Sequence, residues 1–294
     1  MRVAINQLPD RQLAVLGAAY VAAGREKRRQ FLAGAVVLAA CIGLAAYVGE
    51  VDMVKFAVNL GGFFSYISRI FQLDNGDLVF TNPVEWLWGF RKWSRLIWET
   101  VLISYVGTLT GAVLGFVLCF LAAGNLHQRP MVRFCAKRTL EFCRSVPSLV
   151  FAQIFVLGFG LGPFAGVLAI VLHTTGALGK QFTEIVENID MKPVEGLRAS
   201  GAGFSAMARF AVVPQVLAQF ATYALLRFEI NVREASVMGF VGAGGIGQDL
   251  LETIRKFYYS DVSAILCMLI VVVVDIDLAT EKLRHALTGF GGRA

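Results

Sequence analysis

From Phe31 to Val48 the chain runs without one charged or amide side chain. A helix needs roughly 18–20 such residues to cross the hydrocarbon of a bilayer, and a buried strand of that length would be unusual. Further long apolar stretches recur to the end of the chain. The whole sequence is 56% hydrophobic and only 16% charged, with a mean hydropathy of +0.64. Soluble domains carry roughly 25% charged residues, so the class is an all-α integral membrane protein.

About six spans are expected. The first, Phe31–Val48, follows a polar tail of residues 1–30 that ends in Arg25-Glu26-Lys27-Arg28-Arg29. The tail is too long and polar for a cleaved signal, and no small-residue cleavage site follows the run. Residues 49–95 are mixed and hold an aromatic-rich stretch, Phe56–Phe71, and a turn at Asp74-Asn75-Gly76. Trp86, Trp88, Trp93 and Trp98 come next, a clustering that predicts an interfacial helix before the second span. The second span is Leu96–Ala123, in which Gly107, Gly111 and Gly115 recur every four residues and predict close helix packing. The third is Val146–Phe159, broken from the fourth, Phe164–Leu178, by a turn at 160–163. The fifth is Gln215–Phe240 and the sixth Val262–Leu278.

The net charge of +6 would point to nucleic acid in a soluble protein. Here the layout accounts for it: most of the 27 Lys and Arg fall in 1–30, 124–145, 180–214 and 281–294. Those segments are expected in the cytoplasm, with both termini inside. Five scattered cysteines, Cys41, Cys119, Cys135, Cys143 and Cys267, form neither zinc spacing nor a disulfide framework. His127, His173 and His285 are far apart in sequence. No Walker A sequence, Gly-x-Ser-x-Gly or His-Glu-x-x-His is present, and no metal site or catalytic residue is expected.

One motif is a decoy. Gly242-Ala243-Gly244-Gly245-Ile246-Gly247 fits G-x-G-x-x-G, but no βαβ pattern surrounds it. Gly242, Gly244, Gly245 and Gly247 are expected to form a sharp turn at the outer membrane surface.

The fifth span carries Arg227, Glu229, Asn231, Arg233 and Glu234. Ionisable groups at that depth face a cavity or a partner. Arg227 and Glu234 share a helix face, and Glu229 and Arg233 are placed to pair. Two readings stand: a water-lined path for an anion, or ion pairs that hold helices together. His173 and Thr174, with Thr175 and Lys180, line the end of the fourth span and add polar contacts to the path or between helices.

The stretch 180–214 holds the most specific pattern. Glu195-Gly196-Leu197-Arg198-Ala199-Ser200-Gly201 predicts a short helix ending at a glycine. Phe204, Met207, Ala208 and Ala211 then recur at helical spacing, and Pro214 opens the fifth span. Two short helices should meet at a bend around Gly201-Ala202-Gly203, outside the membrane. The run from Glu195 through Gly201 to Pro214 resembles the cytoplasmic coupling loop of binding-protein-dependent ABC importer permeases. That loop reads Glu-Ala-Ala, then Gly after three residues, then Ile-x-Leu-Pro. Gly196-Leu197 stand in place of its alanines, Ala211 of its Ile and Val213 of its Leu. Together with Gly158–Leu168, His173–Gly176, Pro193–Gly196, Val213–Gln215, Arg227–Arg233 and Val241–Gly247, the chain is similar to phosphonate ABC transporter permeases over about 100–285.

The resemblance implies a type I importer permease. Its partners would be two cytosolic ATPase subunits that carry ATP and Mg, a periplasmic or lipid-anchored phosphonate-binding protein, and a second copy of the chain. No cofactor is expected on the chain itself, nor any nucleic acid. Glu195, Gly196, Ala199, Gly201 and Pro214 would serve ATPase coupling; Arg227, Glu229, Asn231, Arg233, His173 and Thr174 would serve the path. The organisation expected is a tail at 1–30, a first span and outer segment at 31–95, a permease core at 96–280 with its coupling loop at 184–215, and a tail at 281–294. A gradient-driven transporter and a membrane enzyme are the rival classes.

Overall fold

The computed structural model describes residues 10–73, 75–126 and 129–291; His127 and Asp74 lie outside them, as do the ends of both terminal tails. The described residues form helices joined by turns, with one isolated bridge between Gln72 and Leu78. The chain divides into two compact units, residues 1–66 and 67–294.

In the first unit, α1 (Asp10–Val48) is one helix of 39 residues. The polar tail expected to precede the first span is therefore helical from Asp10 and continuous with it. Its Ala, Leu, Arg, Lys, Glu and Gln are good helix formers, and no proline interrupts them. Glu50 turns the chain with φ 51°. Asp52 then accepts the backbone N–H groups of Val54 and Lys55 at 3.0 and 2.9 Å and opens α2 (Met53–Ile70), none of whose residues is buried.

The second unit takes in the last turn of α2 from Ile67, then a turn over 71–80 and a four-residue helix, α3 (Pro83–Trp86). α4 (Phe90–Ala122) follows, then α5 (Pro130–Ser145) and α6 (Ser148–Phe159). The interfacial helix expected around the tryptophans does not form as a separate element: Trp86 ends α3, Trp88 lies in the turn after it, and Trp93 and Trp98 lie in α4. Trp86 and Trp93 are buried, with Leu73, Val79, Ile97, Leu250 and Ile265. The Trp86 indole N–H donates to the Ser263 hydroxyl at 2.9 Å, and that of Trp93 to Asp249 at 3.0 Å. These rings pack inside protein because a partner for each N–H lies far along the chain.

α5 and α6 meet at 88°. Val146 is extended, as the residue before Pro147 is constrained to be. α6 has 12 residues, about 18 Å, and cannot cross alone. After it come α7 (Pro163–Glu187), α8 (Lys192–Ala199), α9 (Phe204–Met207), a π turn at Ala208–Val212, and α10 (Val213–Met238). A 3₁₀ turn, Gly239–Val241, leads to α11 (Ile246–Arg255) and α12 (Tyr259–Gly291). Among the described residues four helices are long and apolar enough to cross a membrane, or up to five if the α5–α6 pair is one span. The expected third span fails on length. The fourth, in α7, has the length, but His173, Thr174, Thr175 and Lys180 dilute its apolar character.

The core of this unit is the crossing of α4 on α7. A Cβ on Gly107 would lie 2.6 Å from Ile170, one on Gly111 2.8 Å from Thr174, and one on Gly115 2.9 Å from the Gly179 nitrogen. The predicted stripe is the contact surface. Across it, the buried Asn231 amide on α10 donates to Thr108 on α4 at 2.7 Å and to Thr174 on α7 at 2.9 Å. Ser104 donates to the Asn231 carbonyl at 3.1 Å. Three helices are joined by one side chain.

Substituting Gly111→Val places two methyl groups against Thr174. Overpacking of this kind costs about 1–3 kcal/mol. The variant is expected to unfold at a lower temperature than wild type in detergent, whereas Ile42→Val on the exposed surface of α1 should not.

Candidate functional site

The residues singled out by sequence gather at two places. The first is α8. Asp190 accepts the Lys192 backbone N–H at 3.0 Å and so caps the helix, while Pro193, which has no N–H, sits in the first turn. Glu195 is also in the first turn, where the helix dipole favours an anion. At the other end, Gly201 has φ +81°; its N–H bonds to Arg198 and the Ala202 N–H bonds to Leu197, both at 3.0 Å. That pair of bonds is a Schellman closure, which needs the left-handed conformation glycine provides. The expected helix and bend are both present.

α8 buries one residue, Val194, and half-buries Leu197, against a cluster that includes Phe182, Val212, Val216 and Phe220. Glu195, Gly196, Arg198 and Ala199 are exposed, and among the described residues Glu195 and Arg198 make no ion pair. The second short helix differs from expectation. α9, the π turn and α10 run together as one helix from Phe204 to Val241, so Pro214 lies within a rod and does not begin one. The Val213 N–H reaches back to the Ala208 carbonyl. This wider turn lies just before the proline, whose ring and missing N–H an unbroken α-helix would not tolerate.

The second place is on α10. Arg227 and Glu234 form an ion pair at 3.6 Å with side chains 13% and 29% exposed. The pairing is loose: Arg227 Nε and Nη2 and Glu234 Oε2 are buried with no hydrogen-bond partner. Glu229 pairs with Arg233, which also binds Asp277 on α12 at 3.1 Å. Asn231 and Thr174 belong to the closed knot described above, both with no exposed surface. His173 is half-buried, its Nδ1 3.0 Å from the Val146 carbonyl, and Arg227, Glu234 and Arg144 all act on it electrostatically.

The glycine motif is a turn. Gly242, Gly244 and Gly245 have φ of +83°, +85° and +76°, and the Ile246 N–H donates to Thr100 on α4 at 2.9 Å. Gly247 is needed for space, since a Cβ there would sit 2.0 Å from the Ser236 carbonyl oxygen.

Sequence reasoning missed Asp277, although an acid inside Val271–Leu278 is the same signal that drew attention to Arg227. It also missed Asp190, whose carboxylate accepts the Lys192 N–H two residues on. The five cysteines are free, as their scatter implied.

Comparison with known proteins bears on what these parts make. A family model described as binding-protein-dependent transport system inner membrane component matches residues 107–283. The chain is 42% identical over 196 residues to the phosphite transport system permease protein PtxC of Stutzerimonas stutzeri, covering 67% of this chain and 71% of that one. It is 39% identical over 189 residues to the phosphate-import permease protein PhnE of Mycolicibacterium smegmatis, covering 64% of this chain and 36% of that one. An inward-facing structure of the MetNI methionine ABC transporter shares the fold, with a TM-score of 0.57 at 20% identity over 70% of this chain and 98% of that one. The chain is an all-helical, multi-pass inner-membrane protein with the fold of type I ABC importer permeases. It belongs to the family of binding-protein-dependent transport system inner-membrane components.

Proposed function

We propose that this chain is the permease of an ATP-driven importer for phosphonates or related phosphorus oxyanions such as phosphite and phosphate. Two copies line the path, two ATPase subunits dock on α8, and a periplasmic or lipid-anchored binding protein delivers the anion. Both termini and α8 face the cytoplasm. ATP and Mg sit on the ATPase subunits; this chain contributes motion and a path.

The observation that carries the motor half is Gly196. It lies in the middle of α8, exposed, with nothing within 4 Å of where its Cβ would be. Glycine there costs about 1 kcal/mol relative to alanine, and nothing among the described residues requires it. It leaves this stretch of helix backbone open for a partner's surface to close onto. Glu195 and Arg198 flank it as charges with no ion partner among the described residues, suited to pairing across an interface. Glu195→Lys is expected to leave membrane insertion intact and to abolish most uptake while the reconstituted complex continues to hydrolyse ATP. Normal uptake in proteoliposomes would remove the coupling assignment.

For the cargo, Arg227 supports an anion. Its Nε and Nη2 donate no hydrogen bond among the described residues, Nη2 facing Glu234 only at ion-pair distance, and a tetrahedral oxyanion offers oxygens in the spacing a guanidinium matches. Partial neutralisation by Glu234 keeps binding weak, as a path that must release its ligand requires. Arg227→Gln is expected to lower uptake several-fold with assembly preserved on size-exclusion chromatography; unchanged uptake would leave the ion pair as a purely structural link. The cargo itself is tested with the complete transporter in vesicles, with methylphosphonate, phosphite and phosphate competing for uptake. Competition by none of the three would refute the phosphorus-oxyanion reading.

A further inference from the structure

The base of α8 is held by a second attachment besides Val194. Gln215, in the first turn of α10, accepts the Asp190 backbone N–H at 3.1 Å through Oε1. Its Nε2 donates back to the Asp190 carbonyl at 3.2 Å and to the Ala211 carbonyl at 2.7 Å. Asp190 in turn caps α8 through Lys192. One carboxamide therefore pairs with both backbone groups of Asp190, two residues before the helix begins, much as a neighbouring strand would. Only a side chain with both a donor and an acceptor at its tip can do this.

We propose that Gln215 is a positioning residue that straps the start of α8 to α10, so that displacement of α8 is passed to α10 and not absorbed in the turn at 188–191. The proposal rests on α8 being the element through which ATP hydrolysis is coupled. Three features support it. The strap joins residues 25 positions apart and bridges the only stretch, Asn188–Met191, that links α7 to α8. It borders a polar cavity of ≈ 530 Å³ that Gln181, Asn188, Gln219 and Tyr223 also line. Water in such a space competes for the Asp190 backbone, so a turn without the strap has solvent ready to replace it. The third contact, to Ala211, fixes the amide at the π turn, where the rod is least regular.

The test uses the full transporter in nanodiscs, with the exposed Cys41, Cys135 and Cys267 replaced by serine. Spin labels at Lys192→Cys and Leu217→Cys report the α8-to-α10 distance, and proteoliposomes report phosphite or methylphosphonate transported per ATP hydrolysed. Gln215→Met keeps the length and loses all three bonds; Gln215→Glu keeps only the acceptor. Both are expected to broaden the distance distribution and to lower transport per ATP several-fold, with normal yield of assembled complex. An unchanged distribution, or unchanged transport per ATP, in both variants overturns the strap. Glu195→Lys run alongside separates the two ideas. If it uncouples while Gln215→Met does not, the strap alone is wrong; if neither uncouples, the role of α8 itself is wrong.

Discussion

Helices α4 and α7 meet backbone to backbone, and most of the second unit depends on that contact. Between lipid-embedded helices the hydrophobic effect offers little, so packing and hydrogen bonds must hold them. Gly107, Gly111 and Gly115 allow the approach, and Asn231 adds hydrogen bonds to both helices from a third. A buried amide is costly unless paired; here both N–H groups are used and only Oδ1 is left without a partner. Arg227, Asn231 and Glu234 recur at four- and three-residue spacing along one face of α10. The loosely satisfied ion pair is thus mounted on either side of the Asn231 contact. Its geometry is set by the knot, which leaves the charges themselves free to be under-bonded.

What could be read from sequence was local. The glycine stripe, the glycine-closed helix at 195–201 and the turn at 242–247 each follow from spacing and backbone conformation within a few residues. The extended Val146 before Pro147 was equally local, and it explains why α5 and α6 turn sharply where one continuous span was expected to begin. The rest required partners that only the fold supplies. Trp86 reaches Ser263, 177 positions away, and a count of tryptophans gives no hint of whether each N–H ends in water or in protein. Arg233 was expected to pair with Glu229 and does, but its second partner, Asp277, is on another helix. Asn231 and Thr174, neutral polar groups near the charged Arg227, are fully buried and hydrogen-bonded to one another across α10 and α7. Their polarity alone gave no sign of which helix each would reach.

The position of α8 follows from the same economy of contacts. It is short, it buries a single residue, and its two ends are closed locally: by the Asp190 carboxylate at one and by the Gly201 backbone turn at the other. Beyond Gly201 the chain enters a 38-residue helix, about 57 Å long, that runs past Asn231 to Val241. At its far end the glycine turn rests on α4 through Thr100 and Glu99. A displacement at α8 would therefore meet one stiff element held by Asn231, ten residues before its end, and by α4 at that end. Such an element tilts about its fixed points more readily than it bends, apart from the π turn at Ala208–Val212. The irregular turn lies between α8 and the membrane-embedded length, next to Gln215, which places the most deformable part of the rod where the strap crosses it.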